Sequence, residues 1–479
     1  MVFSSSVFIC AFLPVVIILY FVSPGTAYRN MLLFLASLVF YAWGEPRNVL
    51  LLLASILVNY LLAMRIGRLR ETGRNGTRAL LVTAVFINIS VLFIYKYLDF
   101  AADNINALLS LFGSTSCVPK AALALPIRIS FFTFQAMSYV IDVYRASVPA
   151  QTNIINFGLY VSLFPQLIAG PIVRYHTIAQ EISRRSTSLD DFSKGAKRCI
   201  QGLAKKILIS NTVGVLADYA FDTVAHSPMG FAGAWFGAVC YTLQIYFDFS
   251  GYSDIAIGLG RIFGFHLQEN FNYPYFASTV TDFWRRWHIS LSSWFRDYVY
   301  IPLGGSRVKK SRLFLNLFVV WLLTGIWHGA NWTFICWGML YFIFLSVEKF
   351  SGLSRFLDKS RVLSLLYRLF TLVVVIVCWV VFRSDNIRMA ADYIACMFTL
   401  RSEYAAVGLK YFTRRYICVV AFCAFLSLPT AHSIWRKVKT HLPQMVSALA
   451  EDTFYLGLLI ISLANVVSST YNPFIYFNF

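Results

Sequence analysis

The sequence predicts an all-α polytopic membrane protein. It is expected to form one integral unit over residues 1–479, built from about 10–13 transmembrane and re-entrant helices. Three observations predict this. Hydrophobic residues make up 58% of the 479 and charged residues only 13%, about half the share usual in a soluble chain. The mean hydropathy is +0.65. The apolar segments are spread over the whole length, and the basic residues cluster between them as the positive-inside pattern requires.

The elements follow in order. Val7–Val22 is the first apolar run. Met1–Ser6 lacks a basic start and Ser23-Pro24-Gly25 offers no small-residue cleavage site, so the run reads as a span rather than a removable signal. Met31–Trp43, Val49–Met64 and Ala79–Tyr97 come next, then Ile127–Val143 and Ile154–Val173. The second half carries Ile207–Phe221, Phe231–Phe249, Ile255–Phe265, Leu313–Ile326, Trp332–Val347, Leu369–Phe382, Tyr416–Leu428 and Phe454–Val467. Several are shorter than the roughly 20 residues needed to cross a bilayer. Short spans predict re-entrant or broken helices, which are tolerated only when packed in protein or lining a cavity.

The net charge of +19 does not point to nucleic acid, because it sits in loops between spans. Arg65–Arg78 holds five Arg against one Glu, and Arg174–Lys206 eight Lys/Arg against three acids. Asp282–Arg312 holds seven against two, and Glu348–Arg368 five against two. These loops are expected on the cytoplasmic side. Three spans separate the first two of them, an odd number, so at least one is expected to be re-entrant. Ser183–Lys206 reads as an amphipathic cytoplasmic helix. The nine Cys are scattered without a CxxC pair, which fits packing better than disulfides or zinc. No HxxxH, HExxH, P-loop or GxGxxG is present, so no metal site is expected.

The most informative residue is His328, in the apolar hairpin Trp327-His328-Gly329-Ala330-Asn331-Trp332. A full charge at membrane depth costs about 2.5–3.5 kcal/mol on insertion scales. A buried imidazole favours its neutral form, which keeps a lone pair able to accept a proton. Asn331 follows three residues later; its amide either orients the imidazole or caps a helix break.

A second histidine lies 40 residues upstream, in the segment Asp282–Asp297. On one continuous helix, Trp284, Trp287, His288, Leu291, Trp294 and Phe295 share a face, opposite Arg285, Arg286, Ser293, Arg296 and Asp297. Aromatics opposite arginines describe a helix in the membrane interface, with His288 on its buried side. The turn at Tyr298–Gly305 ends it. Two buried histidines read either as a base with a polarising partner for acyl transfer to a hydroxyl, or as core histidines satisfied by carbonyls.

Two further segments stand out. Tyr246–Asp254 sets Asp248 and Asp254 beside hydroxyls, with a break expected at Ser250-Gly251. Hydrogen bonding, pore lining or pairing with Arg suits these carboxylates better than a shared acid/base site. Phe164–Pro171, which holds Gln166, reads as a broken helix, because two prolines remove backbone donors and Gly170 frees the dihedrals.

At these residues the chain resembles the membrane-bound O-acyltransferase family, and within it the bacterial enzymes that O-acetylate alginate and similar polysaccharides. The resemblance runs through Phe131–Gln135, Phe164–Pro171, Tyr246–Asp254, Asn270–Tyr275, Asp282–Asp297, Tyr300–Gly305, Leu323–Trp332 and Tyr471–Phe477. It implies a ring of helices around a thinned centre, where a cytosolic thioester donor and an extracytoplasmic acceptor meet in a tunnel. It implies that His328 and His288 are the functional histidines. Trp327, Asn331, Asp254, Gln166, Arg285 and Arg286 are expected along the substrate path, with the arginines facing donor phosphates or lipid headgroups.

No bound cofactor is implied; acetyl-CoA or an acyl carrier protein thioester is the donor substrate. The implied partners are the lipid bilayer, an extracytoplasmic polysaccharide or a periplasmic SGNH-type acetyltransferase, and an acyl carrier protein. The implied location is the bacterial cytoplasmic (inner) membrane. One residue departs from the family pattern: Arg128 stands in Leu125-Pro-Ile-Arg-Ile-Ser-Phe-Phe132 where the family has glycine. D-alanyl transfer to teichoic acid and acylation of peptidoglycan remain alternatives within the same chemistry. A transporter or flippase is the alternative outside it, and would call for an inverted repeat and paired intramembrane charges.

Overall fold

A computed structural model of the chain describes residues 1–114, 117–126, 128–167, 170–226, 229–353, 357, 360–399, 407–468, 471 and 475. The described residues are helical, with no strand among them. Six helices are long and apolar enough to cross a membrane, or up to seven if a pair bent by 70° counts as one span. Of the other apolar runs, Phe8–Val22 and Ile154–Leu167 form short helices, whereas Phe231–Phe249 and Ile255–Phe265, expected as two runs, fall largely in one 32-residue helix. The chain divides into two compact units, Met1–Cys199 with Ile255–Gln268 and Ile200–Asp254 with Glu269–Phe479.

In the first unit, α1 (Leu13–Val22) ends before Ser23-Pro24-Gly25 and α2 (Thr26–Gly44) returns. Phe8, Phe12, Phe40 and Phe164 form an aromatic cluster against them. Next, α3 (Val49–Glu71) overruns its predicted apolar core and finishes on Arg68 and Arg70, cations that suit a helix C-terminus. A π-turn at Phe93–Tyr97 joins α4 (Thr77–Leu92) to α5 (Leu98–Leu111). Asn59 on α3 and Asn88 on α4 exchange amide hydrogen bonds of 3.2 and 2.8 Å, polar glue between apolar helices.

The buried α6 (Ile129–Tyr144) starts at Arg128, whose φ of +66° is the left-handed region. This explains the departure noted above: the backbone here suits glycine, and an L-residue pays about 1 kcal/mol to adopt it. We expect Arg128→Gly to fold and Arg128→Val to lose about 1–2 kcal/mol more, read by thermal unfolding. A break falls at the start of Phe164–Pro171, the segment expected to be a broken helix. Helix α7 (Ile154–Ser162) stops at Leu163 (ψ 111°), and α8 (Phe164–Leu167) restarts with the Phe164 N–H donating to Ser37 Oγ at 3.0 Å. Then come α9 (Tyr175–Ser183) and α10 (Leu189–Ala204). The Asp191 N–H donates to Ser188 Oγ at 3.0 Å, a cap on the amphipathic helix the sequence predicted.

The second unit holds α11 (Asn211–His226) and most of α12 (Phe231–Ile262). The break expected at Ser250-Gly251 is absent, and α12 runs through it. A Cβ on Gly251 would lie 2.8 Å from the Gly202 carbonyl oxygen, so this glycine serves close helix approach rather than a bend. The segment Asp282–Asp297 is also not one helix. It is α13 (Val280–Arg286) and α14 (Ile289–Phe295), broken at Trp287-His288. Behind it, α15 (Lys310–His328) and α16 (Trp332–Ser351) form an antiparallel hairpin. They close tightly at glycines: a Cβ on Gly338 would lie 2.5 Å from the Trp321 carbonyl oxygen, and one on Gly325 2.6 Å from that of Phe334. The chain continues through α17 (Arg361–Arg383), α18 (Ile387–Phe398), α19 (Val407–Leu426), α20 (Thr430–His441) and α21 (Gln444–Ser468).

Candidate active site

His328 closes α15 and sits 6% exposed in an aromatic cage. Its ring centroid is 4.9 Å from Trp327, 4.8 Å from Trp337 and 5.0 Å from Phe382, each edge-on. Gly329 makes the cage possible. A Cβ there would fall 2.2 Å from the Phe334 ring, which packs on Phe382 at 5.0 Å. Asn331 is the cap of α16: Oδ1 accepts the Thr333 N–H at 3.0 Å and Nδ2 donates to the Asp385 carbonyl at 2.7 Å. Of the two roles open to Asn331 from sequence, the structure gives it capping, and its amide is occupied there rather than on an imidazole.

His288 is 1% exposed and caps α14 in the left-handed conformation, φ +44° and ψ +54°. Strained backbone of this kind persists only where surrounding contacts enforce it. Here the enforcing residue is Asn270. Its carbonyl accepts the Ile289 N–H at 3.0 Å, and its Oδ1 accepts the Ser290 N–H at 3.1 Å and the Ser290 hydroxyl at 2.9 Å. The Ser290 proton is thereby committed to Asn270. The Ser290 hydroxyl also lies 3.5 Å from His288 Nδ1, so the same pair of residues sets the orientation of the imidazole.

The two histidines meet at one indole. The Trp327 ring lies 6.2 Å from His288 and 4.9 Å from His328. Trp287, Phe283, Tyr341, Trp337 and Trp379 pack around this centre. The indole N–H groups of Trp284 and Trp337 are buried there without a hydrogen-bond partner. Glu348 on α16 fixes the entry to α13. Its carboxylate accepts the Val280 and Thr281 N–H groups at 2.6 and 2.8 Å, and the Tyr367 hydroxyl at 2.9 Å.

The remaining predicted residues make contacts of their own. Arg285 is exposed, and Arg286 is half-buried against Asp282 at 2.9 Å. Gln166 belongs to the first unit, where Nε2 donates to the Tyr160 carbonyl and Oε1 is buried without a partner. Asp254 pairs with Lys205 at 2.6 Å, and Asp248 pairs with Lys206 at 2.7 Å with both side chains 1% exposed. Both carboxylates thus pair with a lysine. Asp248 also accepts the Ile475 N–H at 3.0 Å, which anchors the end of the chain. Removing one partner strands a buried charge. We expect Lys206→Met to cost about 3–5 kcal/mol and the more exposed Lys205→Met far less, measured by thermal unfolding in detergent.

Residues 89–389 match the model of the membrane-bound O-acyltransferase family, a span that contains both histidines. The chain belongs to that family. This acyltransferase is 44% identical over 399 residues to the probable alginate O-acetylase AlgI of Pseudomonas aeruginosa, covering 83% of this chain and 75% of that one. It is 39% identical to the probable alginate O-acetylase AlgI of Pseudomonas putida across 100% of both chains. It is 36% identical over 422 residues to the peptidoglycan O-acetyltransferase of Helicobacter pylori, covering 81% of this acyltransferase and 78% of that enzyme. Among the described residues of the acyltransferase, no cluster of three or more His, Cys, Asp or Glu side chains is arranged to hold a metal ion.

Sequence reasoning missed Asn270, Ser290, Glu348, Lys205 and Lys206 as positioning residues. Asn270 had a signal, since it opens the Asn270–Tyr275 motif. Glu348 had none, because its partners are backbone N–H groups 67 and 68 residues away.

Proposed function

We propose that this acyltransferase moves an acetyl group from a cytosolic thioester, acetyl-CoA or an acylated carrier protein, across the bacterial inner membrane. The acceptor is a hydroxyl of an alginate-like polysaccharide, or the serine of a periplasmic SGNH-type partner that completes the transfer. The observation that carries the reading is the burial of His288 and His328 against one indole, Trp327, in a water-poor aromatic centre. The names of the relatives from both Pseudomonas species support the polymer class.

His328 takes the proton of the acceptor hydroxyl as its oxygen attacks the thioester carbonyl. The new C–O bond forms, the C–S bond breaks, and the proton passes to the departing thiolate. His288 and the unpartnered Trp337 N–H stabilise the oxygen charge that develops on the carbonyl. Neither a thiolate nucleophile nor a metal is called for. Membrane vesicles holding the protein, supplied in turn with labelled acetyl-CoA, acetyl carrier protein and D-alanyl carrier protein, test this. An acetyl donor is expected to label the acceptor as an ester. Labelling by the D-alanyl donor alone would overturn the acetyl assignment.

A further inference from the structure

Two arginines in the first unit share one buried tyrosine ring. Tyr20, near the end of α1, is fully buried, with Arg29 Cζ 5.0 Å and Arg185 Cζ 5.6 Å from its centroid. The fold builds Arg185 into place. Its Nε donates to the Tyr20 hydroxyl and to the Phe263 carbonyl, each at 3.0 Å, and Nη1 donates to Asn30 Oδ1 at 2.5 Å. Its guanidinium plane also lies 4.5 Å from the Phe265 centroid.

Despite this, among the described residues Arg185 Nη2 and Arg29 Nε are buried with no hydrogen-bond partner, and Arg29 makes no side-chain hydrogen bond. No carboxylate forms an ion pair with either among the described residues. Burial lowers the Arg185 pKa; Tyr20 and the more distant Glu181 carboxylate oppose that shift, and the Arg29 cation adds to it. Two like charges and two orphaned donors at one ring are costly to leave uncompensated. Tyr20 itself is sealed off, but both arginine side chains remain partly exposed.

We propose that Arg29 and Arg185 form a binding site for a phosphate group at the Tyr20 face. Planar guanidinium forks match the spaced oxygens of a phosphate, and a tetrahedral anion serves two forks at once. The site lies near the end of α1 and draws Arg185 from the basic loop Arg174–Lys206, a loop of the kind that meets anionic headgroups and soluble anions. The phosphate comes either from an anionic lipid or from a nucleotide-bearing thioester donor.

Thermal unfolding of the purified full-length protein in detergent decides between these sources. The probes are phosphatidylglycerol, coenzyme A and, as the phosphate-free control, diacylglycerol. At least one phosphate probe is expected to raise the melting temperature beyond diacylglycerol, and Arg29→Gln to raise its half-saturating concentration about tenfold. A response to phosphatidylglycerol identifies a lipid site, and one to coenzyme A a donor site. Arg29→Gln relieves the like charge at the ring, so its melting temperature without probe should not fall below the parent's by more than the lost ring contact, and each response is read against the variant's own probe-free value. No response beyond diacylglycerol, or an equal response in Arg29→Gln, would overturn the proposal. Neither result bears on the histidine chemistry.

Discussion

Replacing His328 with glutamine is expected to lower acyl transfer by about 10²–10⁴-fold, the usual contribution of a positioned general base. Glutamine keeps a polar side chain of similar reach in the cage of Trp327, Trp337 and Phe382 but cannot accept the proton. The protein should remain folded, because little volume is lost. His328→Ala should lose as much activity and also some stability, since a cavity opens beside three rings. A glutamine variant near full rate with labelled acetyl donor would remove His328 from the chemistry. A variant that fails to accumulate is distinguished by its melting curve.

His288 carries the second large effect, and its backbone separates two roles. His288→Ala removes the imidazole while keeping an L-residue at φ +44°. His288→Gly removes the imidazole and the strain together. We expect both to lose about 10²-fold in rate, with the glycine variant more stable than the alanine variant by about 1 kcal/mol. If the two histidines act on one transition state, adding His288→Ala to His328→Gln lowers the rate less than the product of the single effects. Independent, multiplicative losses would argue that they serve different steps. Ser290→Ala, which leaves Asn270 in place but removes the hydroxyl beside His288 Nδ1, should fall between the parent and His288→Ala.

The fold class was legible because it rests on composition and apolar run length, which are properties of the chain alone. The hairpin at Trp327–Trp332 was legible for the same reason, since two apolar runs flank a polar turn. What failed was inference about local geometry from residue type. Periodicity over Asp282–Asp297 describes a helix, but the burial of Trp287 and His288 is achieved at a break held by Asn270, a residue outside the window. Gly251 suggested a bend and serves close packing instead, a distinction set by what lies across the interface. The lysine partners of Asp248 and Asp254 were hidden because pairing across 42 and 49 residues leaves no spacing to read. The histidine pair was legible in kind; its common indole was not.

The most direct test of the account is ester-linked acetate on the extracytoplasmic polysaccharide of cells whose only copy of this protein carries His328→Ala, expressed at the parental level. The account predicts that the acetate falls to the level of cells lacking the protein. Acetate retained at the parental level would contradict it.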